Sequence, residues 1–165
     1  MSIVSFNGKN PVIAKSAFVA QSAELVGEVT VEETASILYH AVLRGEKPIV
    51  VGEKSNVQDN CVVHGEKTCV FIGERVTIGH GAIVEDSEIG DDSLVGAGAI
   101  IFNSKIGKNC LIGAGAVLKP GTAIPDNSFV VGAPAIVKRE ITEENKKEIE
   151  HAWKYYVEKM QHGRA

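Results

Sequence analysis

The sequence predicts an all-β fold: a parallel β-helix followed by one C-terminal α-helix. Three observations carry this expectation. An Ile, Val or Leu recurs about every six residues and is often followed by Gly. Hydrophobic residues make up 44% of the chain but aromatics only 5%, so the core is built from branched aliphatics and Ala. The 17 glycines supply many tight turns. A six-residue period fits neither a 3.6-residue helix nor a two-residue alternation. It fits a short strand and a turn, repeated. Three such elements make one coil, and coils stack at strand spacing.

From Ile72 the frame reads "IGERVT", "IGHGAI", "VEDSE", "IGDDSL", "VGAGAI", "IFNSK", "IGKNCL", "IGAGAV", "LKPGTA", "IPDNSF", "VVGAPA". Upstream it continues as "VEETAS", "ILYHAV", "LRGE", "VGEKSN", "VQDNCV" and "VHGEKT". First positions are aliphatic and are expected inside. Fifth positions are mostly small, as at Ala35, Ser55, Cys61, Ala82, Ser93, Cys110 and Ser128, and suit packed corners. Cys61 and Cys110 therefore read as corner residues rather than as nucleophiles or ligands, and Cys69 has no assigned role. The frame breaks between Arg44 and Val51, and between Lys67 and Ile72, read as loop insertions. Thr142 is expected to cap a helix through "TEENKKEIEHAWKYYVEKMQ". Ile149, Ala152, Trp153, Tyr156 and Met160 form its apolar stripe, for packing on the β-helix or on a neighbouring subunit. The expected division is a β-helix domain over 1–140 and a helix over 141–165.

Bulk properties narrow the function classes. The 165 residues suffice for one domain with a sizeable core. The net charge of −4, with interspersed signs and no basic block, argues against nucleic acid. "MSIVSFNGKN" lacks a signal-peptide pattern, and no stretch has the length of a membrane span, which points to the cytoplasm and no membrane partner. Three cysteines without CxxC spacing read as neither a disulfide framework nor a cysteine zinc site.

The repeat also aligns chemistry. Third elements of successive coils begin at Leu43, Val63, Val84, Ile101 and Leu118. Their second positions, Arg44, His64, Glu85, Phe102 and Lys119, should form one outward ladder with rungs roughly 4.8 Å apart. His64 and Glu85 are then neighbours. His80, the third position of a second element, projects from elsewhere on the prism. A threefold assembly would bring His80 of one subunit to His64 and Glu85 of the next. Two histidines and a carboxylate with an open fourth position make a catalytic zinc set, able to acidify a water and deliver hydroxide to an electrophile. Two readings without metal stay open: Glu85 pairs with His64, or His64 sits beside Arg44.

The chain resembles the gamma-class carbonic anhydrase family. "ASILYHAVLRGE" is similar to the family's stretch ending in Arg-Gly-Asp. "SNVQDNCVVH" is similar to its Asn-Ile-Gln-Asp…His motif, "VTIGHGAIVEDSEIG" to its Gly-His…His-Gly-Cys motif, and "FVVGAPAIVKREIT" to its closing turn. The resemblance implies a left-handed β-helix and a homotrimer with carbon dioxide or bicarbonate as substrate. It also implies zinc, or another divalent metal such as iron or cobalt, held at subunit interfaces by three histidines. Matched by motif, two of these are His64 and the interface residue His80. The third falls on Glu85, where the family has histidine. The family's glutamine near the hydroxide matches Gln58, its structural arginine matches Arg44, and the aspartate partner of that arginine matches Asp59. Glu46 stands for the Asp of Arg-Gly-Asp. Arg44, Glu46 and Asp59 read as interface salt-bridge residues, and Gln58 equally as a hydrogen-bonder behind the ligands.

A carboxylate at Glu85 lowers the charge of the site by one, so weaker hydration at neutral pH or a different metal preference is expected. Glu66, in the short insertion, is the nearby proton-shuttle candidate, and a solvated loop residue is its other reading. Two other functions compete. One is a hexapeptide acyltransferase using coenzyme A, for which an acceptor-site loop and a separate catalytic base are missing. The other is a non-catalytic metal-binding or scaffold trimer.

Overall fold

The computed structural model describes residues 1–162, with side chains through residue 160. The chain winds as a left-handed parallel β-helix and ends in one α-helix, Glu143–His162. Residues 163–165 of the expected helix lie outside the described residues. One sheet follows a coil-by-coil path through Val62–Gly65, Ile83–Glu85, Ile100–Phe102 and Val117–Leu118. A second face of the prism carries Val70–Ile72, Glu88–Ile89, Lys105–Ile106 and Ala123–Ile124. The third carries Ser36–Ile37, Asn56–Val57, Thr77–Ile78, Leu94–Val95 and Leu111–Ile112. Every pairing among these strands is parallel. The antiparallel exception is the closing hairpin of Ser128–Gly132 with Ala135–Glu140.

Each aliphatic first position points inward. Leu43, Val63, Val84, Ile101 and Leu118 stack in register and are buried, as are Ile72, Ile89 and Ile106 on the second face. Corner residues interlock by hydrogen bonds. Ser55 Oγ donates to the Gly73 carbonyl at 2.6 Å and accepts from the Val76 amide at 2.8 Å. Ser93 Oγ plays the same part for the Gly107 carbonyl and the Cys110 amide. Cys61 sits in such a corner, its Sγ 3.1 Å from the Gly79 carbonyl, and burial pushes its thiol up to about 11.

The Gly after the aliphatic has a packing cause. A Cβ on Gly79 would lie 2.7 Å from both the Ala97 nitrogen and the Val95 carbonyl oxygen of the next coil. On Gly96 it would lie 2.4 Å from the Ala114 nitrogen. Stacked coils leave no room for a side chain there. The fourth position of most six-residue elements has its own rule, which the sequence reading missed. Thr34, His40, Lys54, Asn60, Arg75, Asp92, Asn109 and Asn127 all have positive φ, as do Gly81, Gly98 and Gly115. The turn needs a left-handed residue, which favours Gly, Asn and Asp. The two five-residue elements turn one residue earlier, at Asp86 and Asn103, also with positive φ.

One expectation is corrected. The break between Arg44 and Val51 is not a loop. Val42–Val51 is one continuous strand that bends around a prism corner, paired with Glu24–Val31 on both sides of a bulge over 46–48. Gly45 makes the bend possible, since a Cβ there would lie 2.6 Å from the Glu28 carbonyl oxygen. The second break is a loop only over 66–69, because Val70–Ile72 already pairs with the strands on either side.

Thr142 caps the C-terminal helix, its Oγ1 accepting from the Asn145 amide at 3.3 Å. The helix lies back over the third face, against Ser36–Ile37 and Thr77–Ile78. Its stripe of Ile149, Ala152, Trp153, Tyr156 and Met160 is the covered side, with Ile149 fully buried. No helix among the described residues is long and apolar enough to cross a membrane.

Candidate metal centre

The register sets the ladder. Arg44 pairs with His64, His64 with Glu85, and Glu85 with Phe102. Because Leu43, Val63 and Val84 point inward, these neighbours point outward on one face. His64 is the most enclosed of the polar three, with 12% of its side chain exposed against 21% for Glu85.

His64 is gripped from one side and approached from the other. Its Nε2 lies 3.0 Å from Glu46 Oε2, and its Nδ1 lies 3.8 Å from Glu85 Oε2. An ionised carboxylate only accepts, so the Glu46 contact puts a ring proton on Nε2 and turns Nδ1 toward Glu85. Arg44 Nη1 holds the other oxygen of Glu46 at 2.7 Å. Within one chain Arg44 is therefore the partner of Glu46, not of Asp59.

His80 sits at the corner between the third face and the ladder face, just after Thr77–Ile78. Its Nδ1 lies 2.9 Å from Asp59 Oδ2, and 54% of its side chain is exposed. The other oxygen of Asp59 accepts the Tyr39 amide at 3.3 Å. Asp59 thus orients an imidazole that is largely on the surface. Gln58, buried, fixes the backbone there: its Oε1 accepts the His80 amide at 3.2 Å. Its Nε2 donates to Asn56 Oδ1, and Asn56 in turn donates to Thr77 Oγ1. The C-terminal helix reaches this corner. Burial, and next the nearby Asp59 charge, raise the Tyr156 phenol.

A single chain does not gather the three expected ligands. Among the described residues, the one set of three ligand atoms within 4.8 Å of one another comes from Glu66, Glu85 and Asp86. His64 and Glu85 come together on the ladder, whereas His80 stands apart at the corner. Asp86 was missed by sequence reading. Its carboxylate accepts the amides of Glu66, Lys67 and Thr68 at 2.9 to 3.1 Å, so its lone pairs are taken by the 66–69 loop rather than offered to a cation. Its signal in the sequence was an Asp at the turn of a five-residue element, opposite an insertion.

The donor chemistry fits a divalent ion. Two ligands at about 2.1 Å from one ion stand roughly 3.4 Å apart at a tetrahedral angle and about 4.2 Å apart at most. The 3.8 Å between His64 Nδ1 and Glu85 Oε2 falls in that interval. A carboxylate behind each imidazole, Glu46 for His64 and Asp59 for His80, is the usual support of a metal-binding histidine.

Comparison with known proteins agrees with the repeat and narrows it. Residues 45–154 match a family model described as the GMPPB C-terminal domain. A protein of Methanocaldococcus jannaschii named "Probable carbonic anhydrase" is 46% identical, over 87% of this chain and 92% of its own length. "Gamma carbonic anhydrase 2, mitochondrial" of Arabidopsis thaliana is 36% identical over 90% of this chain, which spans 57% of that protein. Among solved structures, a hexapeptide transferase family protein from Anaplasma phagocytophilum superposes with a TM-score of 0.93 at 32% identity, covering 99% of this chain and 98% of that one. The chain belongs to the gamma-class carbonic anhydrase family of hexapeptide-repeat proteins.

Proposed function

We propose that the protein hydrates carbon dioxide reversibly at metal centres shared between neighbouring subunits of a homotrimer. The observation that carries this reading is the pair of imidazoles each oriented by its own carboxylate, His64 by Glu46 and His80 by Asp59. His64 and Glu85 of one chain, with His80 of a neighbour, would hold the ion and leave a fourth position open. The ion is zinc or another divalent metal such as iron or cobalt. When bound, it supplies the Lewis acidity that makes water a nucleophile near neutral pH.

The trimer is supported by an outward apolar column beside the ladder. Val62, Ile83 and Ile100 are paired rung by rung and are 40%, 36% and 37% exposed. Such a column suits a subunit interface rather than solvent. The chain's own groups have distinct parts. Gln58 holds the His80 backbone, and Asp59 holds its ring. Phe102, one rung beyond Glu85, adds an apolar wall on the side where an uncharged substrate would approach. Water adding to carbon dioxide yields bicarbonate and a proton. Glu66, exposed and with its carboxylate within 4.8 Å of that of Glu85, would pass this proton to solvent.

A metal-free scaffold trimer is the second reading, favoured by Glu85 at a position where the family has histidine. One experiment separates the readings. Protein purified without a metal-binding tag is measured for bound metal and for carbon dioxide hydration, as wild type, His80→Ala and Glu85→His. Bound metal and activity, both lost in His80→Ala, are expected. Metal-free protein that Glu85→His does not rescue would leave the scaffold. Acetyl transfer from acetyl coenzyme A that is insensitive to His80→Ala would point to the transferase chemistry.

A further inference from the structure

We propose that the groove along the second face of the prism, opposite the His80 corner, docks a basic amphipathic helix of a partner protein. The outward side chains of that face stack as Val12, Thr30, Val50, Phe71, Glu88 and Lys105, paired rung by rung. The first four form an apolar column broken only by Thr30, with Val12 63% and Phe71 45% exposed. Two hollows of about 560 and 320 Å³ run beside the column and share Glu32 in their walls. The larger has bare backbone at Gly52, Gly90 and Gly107 as its floor. A Cβ on Gly52 would lie 2.5 Å from the Gly73 carbonyl oxygen, so coil stacking itself keeps the floor open.

Charge names the kind of occupant. The wall facing the column is the corner that leads to the third face. Third positions of successive elements there are Glu33, Glu53, Glu74, Asp91, Lys108 and Asp126. Lys105 and Lys108 are held in ion pairs at 2.8 Å, by Glu88 and Asp91. Lys54 pairs with Glu53, and Arg75 with Glu74 and Asp92. With Glu32 included, the strip holds eight carboxylates and four cations, a net −4 that equals the charge of the whole chain. An exposed apolar column flanked by such an edge fits a partner that is apolar on one side and cationic on the other. Spacing selects a helix, because one helical turn rises about 5.4 Å, close to the ~4.8 Å between rungs. The chain's own C-terminal helix already covers the third face in this way. That helix carries five glutamates and four lysines, so a second copy of it does not suit the acidic edge. Two copies meeting groove to groove would oppose like charges, and an anionic lipid surface would be repelled as well. In the proposed trimer the groove faces outward, because the ladder and the His80 corner lie on the other side of the prism. The docking surface itself needs neither metal nor hydration activity.

The probe is a fluorescein-labelled helix of about 18 residues, roughly 27 Å long, with leucines on one face and lysines on the other. It is titrated with the full chain and followed by anisotropy, beside a scrambled peptide of the same composition and a version with glutamate for lysine. The lysine helix should bind at least about tenfold more tightly than either control, and less tightly as salt rises. Phe71→Ser removes the apolar wall, and Glu32→Lys with Glu53→Lys reverses charge on the acidic one. Each should weaken binding by at least about tenfold, with circular dichroism unchanged because these side chains lie outside the core. Glu144→Lys with Glu158→Lys makes the same change in net charge on the exposed side of the C-terminal helix and should leave binding as in wild type. Equal binding of the scrambled peptide, or equal weakening by the two charge-reversal pairs, overturns the proposal. So does binding that Phe71→Ser leaves untouched. Light scattering that shows a doubled mass, abolished by Phe71→Ser, would assign the groove to a second copy and overturn the partner helix.

Discussion

Asp59 Oδ2 stands 2.9 Å from His80 Nδ1, on a histidine whose side chain is 54% exposed. An exposed imidazole would ordinarily turn freely. Here the carboxylate selects its tautomer and its aim, and Gln58 holds the backbone beneath it at 3.2 Å. Asp59→Ala should therefore weaken metal binding by roughly 10–100-fold, the usual cost of losing such a support. Cobalt titration followed by absorption checks this, with unchanged circular dichroism as the control. Affinity equal to wild type would mean that His80 binds nothing.

Glu85→His restores a neutral ligand and raises the net charge of the site by one. Zinc-loaded variant should hydrate carbon dioxide faster near neutral pH than zinc-loaded wild type. It should also shift the metal preference away from harder ions, because imidazole is a softer donor than carboxylate. Stopped-flow assays with each metal give the comparison. A slower variant with full zinc occupancy would contradict the charge argument.

Ile83→Arg places a charge in the middle of the exposed apolar column, between Val62 and Ile100. The β-helix should survive, because the inward neighbours Ala82 and Val84 are untouched. The proposed trimer should dissociate, and metal should be lost with it if His80 comes from a neighbour. Light scattering and metal analysis on the same sample test both parts. Monomers that keep their metal would place all ligands in one chain.

Gly79→Ala and Gly81→Ala separate crowding from backbone strain. A Cβ at Gly79 meets backbone atoms of the next coil at 2.7 Å, whereas one at Gly81 meets nothing within 4 Å but sits at φ 66°. Gly81→Ala should cost about 1–2 kcal/mol, from left-handed strain alone. Gly79→Ala should cost about 1–3 kcal/mol or more, because stacked backbone cannot yield. Only Gly79→Ala should also weaken metal binding, by pushing the coil at His80. Urea unfolding at one protein concentration measures the two costs.

The three free cysteines should differ sharply in reactivity. Burial pushes the Cys61 thiol up to about 11 and raises that of Cys110, whereas Cys69 lies exposed in the 66–69 loop. At pH 8 the native protein should take up one thiol reagent per chain, and three after denaturation. Rapid native labelling of a second cysteine would show that the corners open.

Much of this protein was legible one residue at a time. The six-residue recurrence of Ile, Val and Leu reports which side chains face inward, because every coil repeats the same strand and turn. That recurrence alone places His64 and Glu85 on adjacent rungs, as the register has them. The Gly that often follows the aliphatic was visible as a pattern, but its reason, the backbone of the next coil at 2.7 Å from a Gly79 Cβ, was not. The break after Arg44 misled because a frame shift marks an insertion without saying whether the inserted residues bulge out or extend a strand. Here the strand runs on past Gly45 beside Glu24–Val31, and the extra residues are taken up by a bulge within it.

The partners of the candidate site belong to the tertiary structure. Motif matching assigned Arg44 and Asp59 to each other. Within one chain, Glu46 reaches both Arg44 and His64, and Asp59 reaches His80. Asp86 carried no recognisable motif, since its hydrogen-bond partners are three amides about twenty positions away in the chain and one coil below in space. The repeat dictated which residues share a face because backbone periodicity is local and cooperative. Only the folded coils determined which carboxylate orients which imidazole, because that choice depends on distances between side chains on different coils and corners, which no spacing in the sequence encodes.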